Sequence, residues 1–349
     1  MRFKRILITG GAGFVGSNLA VRFRRDFADL HVIAFDNLMR RGSELNLSRL
    51  EEHGVEFVRG DLRSGDDCAA WPEFDLLIDC AAEPSVQAGV HGSPLPVIDN
   101  NLIGTIRCLE EVRRRNAAIL YLSTSRVYPI AALNQLAFEE RGTRYAWTDA
   151  PHGIDEHFTL IGPRSFYGAT KLASELLIQE YAYGYGMPAI INRCGILTGP
   201  WQMGQVDQGV VTLWTARHVF ERPLRYVGYG GTGKQVRDML HVEDLYSLLL
   251  RQIADPARWR GDVYNVGGGE EVSASLCELT ELCRAATGNE VPITSEPATS
   301  PVDVRIYLTD ARRAMRDFAW RPERDVTSIV EEITAWVRAH EDQLRPVIA

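Results

Sequence analysis

Tyr167 and Lys171 stand four residues apart in Tyr167-Gly168-Ala169-Thr170-Lys171, inside the helix-periodic stretch 165–185. Residues i and i+4 share one face of a helix, so the phenol and the ammonium meet. A free phenol has a pKa of about 10 and is a poor base at neutral pH. A neighbouring ammonium favours the phenolate, which turns the pair into a candidate general acid/base. Any amphipathic helix can carry this spacing on its surface, so the pair gains weight only in company. Ser123-Thr124-Ser125-Arg126-Val127-Tyr128 supplies it, a hydroxyl cluster ending the apolar run AILYLS at 118–123. Ligands bind at the carboxyl edge of open α/β sheets, where such a hydroxyl can hold a substrate oxygen and share its proton with Tyr167.

A third constellation lies near the N-terminus. Gly10-Gly11-Ala12-Gly13-Phe14-Val15-Gly16 follows the strand-like run KRILIT and opens a helix-periodic segment. Glycines permit the tight turn and let backbone N–H groups approach a pyrophosphate, while the helix N-terminus adds partial positive charge. A glycine turn after a strand is common by itself; the strand-before, helix-after context makes this one a dinucleotide cradle. Asp36 ends the next strand, twenty residues after Gly16. A carboxylate there accepts from ribose hydroxyls and repels a 2′-phosphate, which favours NAD over NADP. Arg40 and Arg41 follow closely and are the groups that would serve a 2′-phosphate instead.

These residues need a scaffold, and the apolar pattern supplies one. β-rich runs recur at 4–9, 31–36, 55–60, 75–80, 118–123 and 187–192, separated by helical periodicity at 14–27, 97–115 and 165–185. Alternation of this kind predicts an α/β fold, a doubly wound parallel sheet of the Rossmann type covered on both faces. Glycine-rich breaks at 199–200, 228–233 and 267–269 mark a change of rhythm, with shorter helices expected at 208–220, 241–254, 273–286 and 325–341. The expected division is 1–195 for the dinucleotide-binding domain and 196–349 for a smaller α/β substrate lobe, with some segments interleaving.

Composition sets the outer bounds. The 349 residues carry 38 Lys+Arg against 46 Asp+Glu, a net charge of −8, and are 45% hydrophobic. That is enough apolar residue for a real core, which excludes global disorder. The acidic balance argues against nucleic acid or an anionic membrane as partner. Cysteines at 68, 80, 108, 194, 277 and 283 form no CxxC pair and no cluster at metal-ligand spacing, so no metal is expected. The N-terminus lacks the apolar region of a signal peptide, and no apolar run approaches the roughly 20 residues of a spanning helix. A reducing cytoplasm is the expected compartment.

The glycine spacing, the hydroxyl cluster and the YxxxK pair together resemble the extended short-chain dehydrogenase/reductases, within them the NAD-dependent nucleotide-sugar epimerase/dehydratase family, over essentially the whole chain. The matching stretches are TGGAGFVGSNL, FDNL, GDLR, NNLIGT, STSRVY, YGATK, GKQVRDMLHVEDL and NVGGG. The resemblance implies Thr124, Tyr167 and Lys171 as the catalytic set, Thr124 because it stands four residues before Tyr128. It implies contacts to NAD from Gly10, Gly13, Phe14, Val15, Gly16, Asp36, Asn37, Asp61, Leu62, Ala81, Ala82, Asn101, Ser123 and Cys194, besides Tyr167 and Lys171. It also implies a nucleotide-diphosphate sugar met by Thr124, Ser125, Arg126, Asp207, Gln208, Arg237 and Arg305, with Arg237 and Arg305 clamping the diphosphate. Family members commonly dimerise through the helices near 97–115 and 165–185, so a homodimer is expected.

Further detail comes from the segment between the two catalytic motifs. TRYAWTDAPHGIDE, GPRSFYGATKLASELLIQEY and QVDQGVV resemble the branch acting on carbon 2 of CDP-linked 6-deoxy or dideoxyhexoses. In the 4,6-dehydratases the catalytic Thr precedes an Asp-Glu pair that eliminates water; here Ser125 and Arg126 stand there, and arginine is no general acid near neutral pH. Epimerisation by transient oxidation is the simpler chemistry left. A 4-epimerase or a net sugar oxidoreductase on the same scaffold is the alternative, and a non-catalytic dinucleotide sensor would have lost the YxxxK pair. Pro129, Cys80, Glu83 and Cys194 depart from the family pattern near the expected pocket, so they bear on which sugar is used.

Overall fold

A computed structural model describes residues 2–205 and 208–348. Seven strands form the central sheet: β1 (Arg5–Thr9), β2 (His31–Asp36), β3 (Glu56–Arg59), β4 (Leu76–Asp79), β5 (Ala118–Thr124), β6 (Ala189–Cys194) and β7 (Asp262–Val266). Their order is β3-β2-β1-β4-β5-β6-β7, and every neighbouring pair is parallel. The order reverses between β1 and β4, the switch point at which a doubly wound sheet opens a crevice for ligands.

Parallel sheets must be covered on both faces, which is why these strands read as continuous apolar runs. Alternate residues divide between two cores. Ile6, Ile8, Val32, Ala34, Ile78, Leu120 and Ile190 face a layer holding Phe23, Tyr246, Leu249 and Ala314. Leu7, Ile33, Leu77, Ile119, Tyr121 and Ile191 face the opposite layer, with Leu109, Val112, Ile178 and Ala182. All of these residues are buried, so each face excludes water across its full width.

The chain passes between its two parts more than once. β7 and the helices Val242–Ile253 and Arg312–Phe318 return to the central sheet from the C-terminal half. In the other direction, the hairpin of Phe138–Arg141 and Arg144–Trp147 leaves the N-terminal half for the lobe: the Tyr145 N–H donates to the Lys234 carbonyl at 3.0 Å, and Arg144 Nη2 donates to Ser273 Oγ at 2.8 Å. The lobe builds its own core from helices Val210–Val219, Leu276–Thr287 and Val326–Ala339, through Val211, Trp214, Leu279, Ile329 and Ile333. Its small sheet centres on strand Val236–His241, paired with Ser273–Ser275, Ile306–Tyr307 and Ile196–Thr198.

Candidate active site

The glycine turn lies directly against β1 and β4. A Cβ on Gly16 would stand 2.2 Å from the Gly10 carbonyl oxygen, so only glycine lets the helix start pack onto the turn. Helix Phe14–Asp26 begins with Gly13 as N-cap, with no side-chain cap bond and no acidic residue in its first turn. Its first N–H groups therefore face outward without an internal anion, the arrangement a pyrophosphate needs.

A groove of roughly 900 Å³ runs past this turn, lined by Gly10, Gly13, Phe14, Val15, Gly16, Asp36, Asn37, Leu62, Ala81 and Ala82. Ligand pockets span about 300–1,000 Å³, so it accommodates a dinucleotide. Asp36 receives the N–H groups of Leu38 at 2.8 Å and Ala12 at 3.2 Å, and burial still holds its pKa above the usual carboxylate value. Asp61 is not among the residues lining the groove: Arg63 and Asn37 bind its carboxylate and lower its pKa to about 2. Arg40 and Arg41 also line the groove, and Arg41 donates to the Pro346 carbonyl.

The catalytic candidates gather where β5 ends. Ser165 caps helix Phe166–Tyr185, accepting from the Gly168 N–H at 3.1 Å. Gly168 then allows close approach, because a Cβ there would stand 2.1 Å from the Arg126 carbonyl. This contact brings Tyr167 beside Thr124. Burial raises the Tyr167 phenol, while Lys171 and the Thr124 hydroxyl act to lower it. With the protein groups alone burial prevails; a positively charged nicotinamide ring would push the same way as Lys171, and the expected phenolate relies on both. Lys171 is 2% exposed and its Nζ lies 4.0 Å from the centre of the Tyr121 ring. Cys80 lines the groove, whereas Thr124, Tyr167 and Lys171 are not among its lining residues.

Several residues support this cluster from behind. Asn101 sits in a π-helical segment, Ile98–Ile103, a form that recurs at functional sites. Its side chain brackets the main chain of Glu83, accepting at 2.7 Å and donating at 3.1 Å, and its carbonyl accepts from Thr105 at 2.8 Å and Ser174 at 3.3 Å. Ser123 donates its hydroxyl to Glu175, which also takes a multidentate ion pair from Arg193 with Nη2 at 2.7 Å. Arg193 continues to the Tyr128 hydroxyl at 3.1 Å, which donates to Asn265 at 2.8 Å. The Ser123 side chain therefore faces this network and leaves only its backbone for the cofactor. Cys194 is buried, its thiol pushed up to about 12 by desolvation, and faces the Asn192 carbonyl.

The anion-binding candidates separate. Ser125, Arg126 and Arg237 line one small cavity with Tyr128, Val304 and Tyr307. Arg237 pairs with Asp303 at 2.8 Å. Arg305 does not join it, because its guanidinium lies 4.0 Å from the Phe138 ring centre and 5.2 Å from that of Tyr229. The hairpin, which left no clear periodic signal, supplies Phe138 and Tyr145 to that aromatic surface, while Arg126 lines the cavity beside Arg237. The segment after residue 198 folds back over the cofactor turn, with Asn18 Nδ2 donating to the Pro200 carbonyl at 3.1 Å, and Gln208 lines the large groove. Asp207 lies outside the described residues. The same closure brings Met203, Gln205, Arg217 and Val347 to the groove, residues that no local pattern marks.

Comparison with known proteins agrees with this layout. Residues 6–267 match the family described as NAD dependent epimerase/dehydratase. The chain is 33% identical over 343 residues to CDP-paratose 2-epimerase of Salmonella typhi, covering 95% of this chain and 98% of that one. It is 29% identical over 349 residues to dTDP-glucose 4,6-dehydratase of Mycobacterium tuberculosis, covering 98% and 96%. The structure of Thermus thermophilus UDP-glucose 4-epimerase in complex with NAD superposes with a TM-score of 0.77 at 26% identity, covering 96% of this chain and 99% of that one. With a Rossmann-type sheet, a fitting groove and a family match across most of its length, the chain belongs to the NAD dependent epimerase/dehydratase family and is an NAD-dependent enzyme.

Proposed function

We propose that the chain is a nucleotide-sugar epimerase, acting at carbon 2 of a CDP-linked 6-deoxy or dideoxyhexose, as in the interconversion of CDP-paratose and CDP-tyvelose. The observation that carries the reading is the junction at the end of β5: Thr124 and Tyr167 side by side, followed at once by Ser125 and Arg126. The first pair suits oxidation of a carbinol, and the second removes the acid–base pair needed for dehydration. Identity of 33% with CDP-paratose 2-epimerase over 95% of the chain supports the choice of sugar.

In this reading Tyr167 takes the hydroxyl proton of the sugar carbinol, relayed through or shared with Thr124, while the carbon gives up a hydride. Bound NAD supplies the acceptor and later the donor of that hydride. The Lys171 charge favours the Tyr167 phenolate against the opposing effect of burial, and Asn101 holds the backbone around Glu83. The keto sugar turns within the site and receives hydride on its other face, while Tyr167 returns the proton to the oxygen. Electrons and protons balance over one turnover, so no second substrate is required. Arg237 meets the diphosphate, with Arg305 and its aromatic neighbours on the nucleoside side.

The test is product analysis by NMR with CDP-, UDP-, GDP- and dTDP-linked sugars. A C2 epimer with no accumulation of NADH supports the reading. A C4 epimer, a dehydrated 4-keto sugar or stoichiometric NADH overturns it.

The assembly we infer is a homodimer through helices Gly104–Arg114 and Phe166–Tyr185. The latter exposes Leu176 at 56% and Tyr183 at 91%, apolar surface that a bundle of four helices would cover. Arg113 lies over the Tyr185 ring at 5.3 Å and Tyr181 donates to Glu110 at 2.5 Å, tying the two helices into one face. Sedimentation as a monomer would overturn it. No helix among the described residues is long and apolar enough to cross a membrane. The cytoplasm is the compartment we assign, where thiols such as Cys80 stay reduced.

A further inference from the structure

Arg126 presents an unusual electrostatic situation. Its guanidinium lines the small cavity beside Arg237, and its one hydrogen bond to a main-chain acceptor, the Val302 carbonyl, is long at 3.5 Å. Burial pulls its pKa down and the nearby Arg237 charge does the same. The carboxylate of the cavity, Asp303, is held by Arg237 at 2.8 Å and by the Val304 N–H at 2.8 Å. Among the described residues no carboxylate lies within ion-pair distance of Arg126. Arg237 thus takes the nearby carboxylate, the half-buried Arg126 is left without an ion pair, and a guanidinium cannot escape by losing its proton. A desolvated cation without a counter-charge is costly unless a ligand supplies one.

Position within the site narrows the ligand group. The Arg126 main chain packs against Gly168, next to Tyr167, while its guanidinium reaches toward the Val302 carbonyl and shares the cavity with Arg237, which holds Asp303. On the nucleotide-sugar reading, Tyr167 stands at the reacting sugar carbon and Arg305, over the Tyr229 ring, on the nucleoside side. The anionic group between a sugar and a nucleoside monophosphate is the phosphate ester-linked to the sugar. We propose that Arg126 is the specificity residue for that second, sugar-linked phosphate. This rests on the nucleotide-sugar reading above. It gives the Ser-Arg step after Thr124 a positive role: the same side chain that forecloses acid–base elimination anchors the diphosphate next to the reacting carbon. Planar guanidinium geometry suits a bidentate phosphate contact.

The test compares nucleoside diphosphate with monophosphate on the NAD-loaded protein. Binding of CDP and CMP, with UDP and UMP as a second pair, is measured by calorimetry for the unaltered protein, Arg126→Gln and Arg126→Lys. Retained NAD reports that each variant is folded. Arg126→Gln should weaken the diphosphate by ~10-fold or more, as for loss of a charge-assisted bond, and leave the monophosphate within about twofold. Arg126→Lys should recover part of the loss. Equal weakening of both ligands, or of neither, overturns the assignment to the second phosphate while the nucleotide-sugar reading stands. Failure of the unaltered protein to bind any of the four nucleotides overturns both.

Discussion

The two anion sites of this molecule use opposite devices. The candidate cofactor groove offers a pyrophosphate the backbone N–H groups at the uncapped start of helix Phe14–Asp26, with the carboxyl of Asp36 beside it. The second cavity uses side-chain guanidiniums, Arg126 and Arg237, from segments more than a hundred residues apart. A backbone cradle is built by one contiguous turn, so glycine spacing announces it. A side-chain cradle exists only after distant segments converge, and it leaves charges buried that a ligand must neutralise. That contrast explains why a chain of net charge −8 can bind an anionic substrate: the positive charge is local and enclosed.

Four experiments bear on this contrast. The largest effect belongs to the chemistry between the two sites. Tyr167→Phe should lower turnover by about 10²–10⁴-fold, the usual contribution of a positioned acid/base, with bound NAD unchanged by chromatography of released nucleotide. Near-normal turnover would remove Tyr167 from its role, and loss of NAD would mean that the two sites are not separable.

Next comes the network that fixes β5 against helix Phe166–Tyr185. Arg193→Met strips the counter-charge from buried Glu175 and should cost about 3–5 kcal/mol of stability, read from denaturant unfolding. Replacing both residues, Arg193→Met with Glu175→Leu, should recover much of that loss. If the double variant is no more stable than the single one, the cost is packing and not an orphaned charge.

The third concerns Asp238, next to Arg237 but facing away from the cavity. Its carboxylate packs where Gly195 and Gly267 have no Cβ, receives the Gly269 N–H at 3.2 Å, and has its pKa raised by burial to about 6. A carboxyl raised in the folded state binds more protons folded than unfolded, so its contribution to stability falls as pH rises between about 4 and 6. The swing should be about 2–3 kcal/mol, and Asp238→Asn should flatten it. An unchanged pH profile in the variant would place the titration elsewhere.

The smallest effect is at the substrate clamp. Arg237→Ala should raise KM by ~10-fold or somewhat more, as for one charge-assisted hydrogen bond, and leave NAD occupancy intact. Loss of NAD instead would show that the cavity and the groove are one site.

Much of this was legible beforehand, for a definite reason. The periodic runs at 31–36 and 165–185 became the strand His31–Asp36 and the helix Phe166–Tyr185, because local alternation and helical spacing are themselves the cause of those elements. The hairpin Phe138–Trp147 gave no such signal: its first strand is exposed along its length and its second is half-buried up to Trp147, so burial left no alternation in the pattern. Gln208 reaches the large groove because the preceding loop turns back over Asn18, a placement that no local pattern shows.

What the sequence alone determined, then, is whatever a single segment accomplishes: the glycine turn, the ribose carboxylate, the shared face of Tyr167 and Lys171, and the family those motifs carry. Backbone geometry and side-chain spacing set these within a few residues of one another. Tertiary structure decided the rest. It moved Arg305 onto Phe138 and Tyr229, set Arg126 beside Arg237, turned the Ser123 hydroxyl toward Glu175, and let burial outweigh Lys171 at the Tyr167 phenol. Each of those outcomes depends on desolvation and on partners from distant segments, quantities that exist only once the chain has closed on itself.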